Sequence, residues 1–293
     1  MTFNGKDALE RWESEGGSYK IKKEDLSPYI HGFSHKEQLR LKRQAEFSEA
    51  LVYQDIDFSQ AQRILEIGSG VGAQSEILLR RFPKIHLTCI DRSYPQIQAA
   101  HKYLAHFRDL FNRYEIHNMD ATQLRFSDNS FDAIFICWTL EHIAHPFDVL
   151  KEAHRVLKPD GKIFVTEVMN FSFFLDPYSP HLWKYWMAFN DYQNDVTGNP
   201  FIGATLGNLF IDAGFSDIIT NVKYWHLDRR QANRRNEILD YWKELLFSAE
   251  QILLRGGYVD LKTIELAKNE INEVKNKQDA VFFYAFMQAS GTK

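Results

Sequence analysis

Between Arg63 and Met169, short runs of β-branched and aromatic residues alternate with stretches whose apolar positions recur every three or four residues. That alternation predicts βαβ units and a mostly parallel sheet. Strands are predicted at 63–67, 85–90, 114–118, 131–137 and 161–168, with helices near 73–82, 95–112 and 146–157. Upstream, Ser34 and Glu37 form a capping-box pattern, so a helix should run from there to about residue 53. Residues 1–33 are polar and broken by Gly16, Gly17 and Pro28, which suggests an arm ordered by docking. Downstream come a helix near 204–213 and a strand at 215–225. Ile238, Trp242, Leu245, Leu246, Ala249, Ile252 and Leu253 then mark one amphipathic helix, and Leu261, Ile264, Ile271 and Val274 a second. The last strand, 280–287, is apolar on both faces and should be interior.

These elements suggest an arm and lid helix (1–58), a Rossmann-like core (59–170), an aromatic cap that completes the sheet through strand six (171–225), and a helical insertion with the final strand (226–293). The 293 residues carry 44% hydrophobic and 25% charged side chains, enough for a buried core and too apolar for disorder. With 35 Lys and Arg against 39 Asp and Glu, no global field would hold a polyanion, so neither nucleic acid nor membrane is an expected partner. Arg229, Arg230, Arg234 and Arg235 form one basic cluster, expected to be a solvated helix start. No apolar run is long enough for a membrane span and no signal peptide is expected. Cys89 and Cys137 sit in strand-like runs and read as buried thiols, making the cytoplasm the expected compartment.

The candidate chemistry begins at Arg63–Gly72, where a strand enters a glycine turn that opens a helix and so lets backbone approach a ligand. Gly68, Gly70 and Gly72 are each separated by one residue, unlike the two-residue final gap of the dinucleotide fingerprint, which points away from a pyrophosphate. Asp91 ends the second strand about twenty residues later, where a carboxylate can accept both ribose hydroxyls. Asp120 follows the third strand and could accept an adenine amino group. Either Asp alone could as well be a turn or helix cap.

Together these residues resemble the class I S-adenosylmethionine-dependent methyltransferases, particularly their type 11 small-molecule branch. The resemblance rests on Leu65–Gly72, Ile90-Asp91-Arg92-Ser93, Asp120-Ala121, Phe126–Asp132 and Leu157–Lys162, and continues more loosely through Ala213-Gly214-Phe215. The stretch Tyr29–Ser34, with Arg40, Leu41 and Gln44, is similar to the N-terminal arm of a bacterial and archaeal subset. The resemblance implies an α/β fold with a seven-stranded, mostly parallel sheet, its last strand antiparallel and helices on both faces. It also implies S-adenosyl-L-methionine as cofactor, released as S-adenosyl-L-homocysteine, and a small-molecule methyl acceptor.

Residue by residue, it implies Glu66, Gly68, Ser69 and Gly70 on the methionine and ribose side, Asp91 on the ribose, Asp120 and Ala121 on the adenine with Arg92 flanking it, and Cys137 and Trp138 beneath the methionine portion. Arg40 and Gln44, four apart on one helix face, are candidates to clamp the cofactor carboxylate, or else a solvated face. Glu141-His142 follows the fourth strand, making His142 the candidate base, with packing around the cofactor as its alternative. The segment 171–199 is crowded with aromatics, of which Tyr178, Trp183 and Trp186 are candidates for acceptor binding, with Tyr29 and His31 closing the other side. No metal-ligand spacing or nucleophilic triad is seen. Two other readings stay open: a non-catalytic sensor of the same cofactor and a nicotinamide-dependent oxidoreductase. The helical insertion offers a surface for a homodimer.

Overall fold

A computed structural model describes residues 30–32 and 34–293. Tyr29 and the rest of the arm lie outside the described residues. Helix α1 (His35–Val52) starts at Ser34, whose hydroxyl accepts the Glu37 N–H at 3.2 Å. The core then alternates: β1 (Arg63–Ile67), α2 (Ala73–Arg81), β2 (His86–Asp91), α3 (Tyr94–Leu104), β3 (Tyr114–Asn118), β4 (Phe131–Cys137), α4 (Pro146–Val156) and β5 (Leu157–Val168). After it come β6 (Phe174–Asp176), α5 (Pro180–Asp195), α6 (Leu206–Asp212), β7 (Ser216–Leu227), α7 (Ala232–Ser248), α8 (Glu250–Arg255), α9 (Leu261–Asn276) and β8 (Val281–Thr292).

In space the sheet runs β3-β2-β1-β4-β5-β8-β7, and the short β6 pairs with β8 beyond the end of β5. The pairs among β1 to β5 are parallel and β8 is antiparallel to each of its neighbours, so the α/β fold is the expected one. It carries eight strands instead of seven. The addition is β6, three residues within the aromatic segment that are too short to show alternation. β8 is an interior strand, paired on both sides, and side chains on both of its faces are buried or partly buried, which is why its sequence is apolar on both faces.

Two elements depart further from the pattern read in the sequence. The helix expected to reach residue 112 stops at Leu104, and a separate short turn at Arg108–Leu110 carries the chain on to β3. The long amphipathic helix divides at Ala249 into α7 and α8. The arginine cluster also departs from a uniformly solvated helix start: Arg235 is 2% exposed. Its guanidinium donates to the carbonyls of Lys277, Gln278 and Ala280, tying α7 to the turn between α9 and β8. Among the described residues no helix is long and apolar enough to cross a membrane.

Candidate active site

At the carboxyl ends of β1, β2 and β4 a cavity of about 880 Å³ opens between the core and the helices α1, α5 and α7. Its polar end is built by the turn after β1. Gly68, Gly70 and Gly72 take φ of +76°, +52° and +79°, a region closed to most side chains. Gly68 and Ser69 donate their N–H groups to the Ile90 carbonyl at 2.9 and 3.0 Å, which fastens the turn to the end of β2. Asp91 completes this end: one carboxylate oxygen accepts Gly70 N–H at 2.9 Å and the other Ser93 N–H at 2.7 Å. Burial raises the Asp91 carboxyl above its ordinary value, while the two backbone donors pull it back.

Three polar atoms at this end are buried without a hydrogen-bond partner among the described residues: Ser69 Oγ, Ser93 Oγ and Gln96 Oε1. A buried, unsatisfied polar group costs about 1–3 kcal/mol, so three of them around one hollow fit a polar ligand. A Cβ on Gly70 would meet no atom within 4 Å, so the backbone here faces open space that a ligand can enter.

Most of the candidate residues line this cavity: His31, Arg40, Gln44, Gly68, Ser69, Gly70, Asp91, Arg92, Asp120, Ala121, Cys137, Trp138, His142 and Trp186. Asp120 also forms a local turn, accepting Thr122 N–H and Oγ–H on one oxygen at 2.9 and 2.8 Å, and those bonds hold its carboxyl below the usual range. Cys137 is only half-buried, because it is the last residue of β4 and opens onto the cavity. Trp138 takes φ +50° as the chain leaves the sheet, with its N–H still bonded to the Thr166 carbonyl at 2.8 Å.

Three expectations are corrected. Glu66 does not line the cavity: it is buried under the turn, accepts the Ser75 hydroxyl, and is raised to about 7 chiefly by burial. Tyr178 is 70% exposed and outside the wall, and Trp183 packs against the core instead. Both lie at or near the start of α5, whose cavity-lining residues are Trp186 and Phe189. Arg40 is 4% exposed, so its helix face is not solvated. Its guanidinium is engaged in a two-pronged pair with Glu37 at 2.5 and 2.7 Å, and it also donates to Gln44 Oε1 and the Tyr241 hydroxyl.

Sequence reading missed the rest of the opposite end. Trp225 on β7 faces Tyr284 on β8 in register, and both line the cavity with Tyr241 and Trp242 of α7. Alternation along β7 and β8 would have put Trp225 and Tyr284 on one face, but which face met the site depended on how the insertion folds back. Asn170 sits among these rings: it accepts from the Tyr284 hydroxyl and donates to Asn190, each at 2.8 Å, while its carbonyl takes the Trp186 indole N–H.

Between the two ends lies the turn 138–142. Glu167, on β5, accepts the N–H groups of Thr139, Leu140 and Glu141 with one carboxylate. Burial, and then the nearby Glu141 charge, raise its carboxyl above the ordinary value. Glu141 accepts Gln193 Nε2 at 2.8 Å, and its other oxygen lies 3.7 Å from His142 Nε2. His31 is bonded to Ser248 Oγ at 2.7 Å, and burial, then the Arg40 charge, lower its pKa.

Residues 65–165 match a family described as "Methyltransferase domain". A ubiquinone/menaquinone biosynthesis C-methyltransferase from Ruegeria sp. is 33% identical over 106 residues, 36% of this chain and 42% of that one. Phosphoethanolamine N-methyltransferase 2 from Caenorhabditis elegans is 32% identical over 110 residues, 38% of this chain and 24% of that one. These matches span less than half the length of either relative. Among solved structures, phosphoethanolamine N-methyltransferase 2 from Haemonchus contortus, with phosphomonomethylethanolamine and S-adenosylhomocysteine, superposes with a TM-score of 0.54 at 18% identity. That superposition covers 85% of this chain and 52% of the other, and shows a shared fold. The match to the methyltransferase domain family is carried by residues 65–165.

Proposed function

We propose that this chain is a cytoplasmic S-adenosylmethionine-dependent methyltransferase acting on an N, O or C atom of a small metabolite bearing an aromatic ring or an amine. The observation that carries the reading is one cavity with two unlike ends. One end offers a glycine turn, a carboxylate and three unpaired polar atoms; the other offers indole and phenol rings. The free thiols of Cys89 and Cys137 suit a reducing compartment.

When bound, S-adenosylmethionine supplies an electrophilic methyl carbon, so in-line displacement needs position and dryness more than covalent machinery. Gly68, Ser69, Gly70, Cys137 and Trp138 would hold its methionine side, Asp91 its ribose, and Arg92, Asp120 and Ala121 its adenine. Arg40 contributes there as half of a neutral pair with Glu37, which keeps the wall polar without a lone buried cation. Trp186, Trp225, Tyr241, Trp242 and Tyr284 exclude water and give an acceptor ring or ammonium faces to rest on. His142, which lies on the cavity wall with Glu141 beside it, takes a proton from a phenol or ammonium acceptor.

The test is incubation of the protein and methyl-labelled cofactor with a metabolite extract, followed by mass spectrometry. A labelled small molecule that disappears when Asp91 is replaced by Ala supports the reading. Tight adenosylhomocysteine binding with no labelled product from any fraction would instead favour a sensor. With the acceptor in hand, His142→Asn should lower kcat about a hundredfold with KM little changed, in the range for a lost general base. Unchanged turnover across pH would confine His142 to packing.

A further inference from the structure

The aromatic end of the cavity holds hydrogen-bonding groups as well as ring faces, and several of them are engaged with one another. The Trp186 indole donates to the Asn170 carbonyl and the Tyr284 hydroxyl to Asn170 Oδ1, each at 2.8 Å, while the Asn170 amide donates to Asn190. These bonds tie rings of α5 and β8 to the chain that follows β5. They leave Trp186 and Tyr284 no hydrogen to give a ligand, only their faces.

Two donors at the same end are not engaged in this way. Trp225 lines the cavity and is 5% exposed, yet its indole Nε1 is buried with no hydrogen-bond partner among the described residues. Tyr241 also lines the cavity; its hydroxyl accepts from the Arg40 guanidinium and donates to no group among the described residues. Burial raises this phenol above its ordinary value, so it keeps its hydrogen at physiological pH. Phe47 of α1 meets both rings edge to face, 5.4 Å from Trp225 and 4.6 Å from Tyr241 between centroids, so the two donors flank one part of the wall. A phenyl ring is at best a weak acceptor and cannot satisfy them. An unpaired buried N–H costs about 1–3 kcal/mol, which a Phe in place of Trp225 would not incur.

The class of ligand follows from the sign of this surplus, because both groups give hydrogens. An alkylammonium also has only hydrogens to give, so it would leave both donors unpaired and would need Glu141, the carboxylate that lines the cavity at the turn 138–142. An oxygen on a planar ring accepts from both while the ring rests on the aromatic walls. We propose that Trp225 and Tyr241 form an oxygen-recognising pair, and that the methyl acceptor is a planar conjugated ring whose hydroxyl or carbonyl oxygen takes the indole N–H and the phenol O–H. The proposal rests on the reading of the cavity as a methyltransferase site and chooses between the two acceptor classes which that reading leaves open. It makes Trp225 and Tyr241 specificity residues, since an acceptor without the oxygen leaves both donors as unsatisfied as in the free protein.

The experiment is titration calorimetry of 2-naphthol and 2-(aminomethyl)naphthalene, which share a ring system and differ in the polar group. Each is titrated at neutral pH into the full chain saturated with S-adenosylhomocysteine, as wild type, Trp225→Phe, Tyr241→Phe and Glu141→Gln. Wild type should prefer the naphthol by about tenfold or more, within the range for two hydrogen bonds. Trp225→Phe and Tyr241→Phe should each shrink that preference about fivefold, the share of one bond. A smaller or looser ring would weaken both probes alike, so a change in their ratio reports the lost donor and not the lost packing. Affinity for S-adenosylhomocysteine, measured first, should stay within about threefold of wild type in both variants.

A wild-type chain that takes the ammonium probe as well as the naphthol would overturn the proposal. A preference for the ammonium that disappears in Glu141→Gln would overturn it too and assign the acceptor to the amines. So would a naphthol preference untouched in both ring variants, or a Tyr241→Phe that loses S-adenosylhomocysteine while keeping the probe ratio, which would give that hydroxyl to the cofactor. A wild-type chain that does not bind S-adenosylhomocysteine would sink the methyltransferase reading as well. Tight S-adenosylhomocysteine binding with neither probe bound would sink this proposal alone.

Discussion

Gly68 and Gly70 stand two residues apart with φ of +76° and +52°, yet they are glycine for different reasons. A Cβ on Gly68 would fall 2.2 Å from Thr139 Oγ1 and 2.4 Å from Thr139 Cγ2, so the side chain that follows β4 already occupies that space. A Cβ on Gly70 would point into the cavity and touch nothing. Gly68→Ala should therefore lower folding stability by several kcal/mol, combining left-handed strain with overpacking. Gly70→Ala should cost only about 1–2 kcal/mol but still weaken adenosylhomocysteine binding at least tenfold. Urea unfolding and calorimetry on both variants check this, and equal stability losses would contradict the geometry. Beneath the same turn, Glu66 holds its proton to about pH 7 against an ordinary 4.5, chiefly because it is buried. The folded state thus binds that proton more tightly than the unfolded chain. Its contribution is full below about pH 4.5 and is lost as the pH climbs to about 7. Gln would keep an oxygen for the Ser75 hydroxyl and never ionise. Relative to wild type, Glu66→Gln should gain up to about 3 kcal/mol of stability between pH 4 and pH 8. A difference that stays flat with pH would show that the Glu66 proton is not coupled to folding.

At the scale of elements, the turn 138–142 shows how a strand end becomes a site wall. Trp138 leaves β4 at positive φ, and the next three residues would carry unpaired N–H groups if Glu167 did not reach over from β5 to accept them. Glu167→Ala should cost about 3 kcal/mol or more by orphaning those donors, and should displace Thr139 and His142 from the cavity wall. Glu167→Gln keeps one acceptor and should cost less than half as much; unfolding midpoints that rank the two variants the other way would refute this. This bond from one strand to the loop of another was not legible in the sequence, where Glu167 is one polar letter in an apolar run. What was legible follows from local causes. Alternating apolar runs placed β1, β3 and β4 within their observed bounds, the Ser34 cap placed α1, and glycine spacing with Asp91 placed the polar end of the cavity. Residues 171–199 were illegible because aromatics fall on every side of the segment, so no periodicity separates Trp186, which faces the cavity, from the exposed Tyr178. Arg40 shows the limit again: its helix reads as polar, yet it is buried and reaches across to Tyr241 of α7, a contact the sequence does not show.

Across the whole molecule, the two ends of the cavity are held by different parts of the structure. The polar end hangs on the β1 turn, β2 and the start of α3, fixed by backbone bonds such as Gly68 N–H to Ile90 O. The aromatic end hangs on rings contributed by segments far apart in the chain, and Trp242 is their meeting point. Its ring stacks on Phe173 at 4.9 Å and contacts Trp186, Phe282 and Tyr284 at 5.3, 5.7 and 4.7 Å between centroids. Those four partners come from the stretch before β6, from α5 and from β8, so one indole joins the cap to an interior strand of the sheet. Trp242→Ala removes a 4%-exposed side chain and leaves a hole among rings that cannot all collapse into it. Stability should fall by about 3–5 kcal/mol, the cost of truncating a buried Trp. Trp242 does not contact the glycine turn through any of these rings, so adenosylhomocysteine affinity should stay within about threefold once binding is measured well below the melting point. Acceptor turnover should then fail through KM, because the faces that hold the acceptor have lost their support. If adenosylhomocysteine binding drops more than tenfold in this variant, the two ends fold as one unit, and the cavity's division into a cofactor part and an acceptor part is wrong.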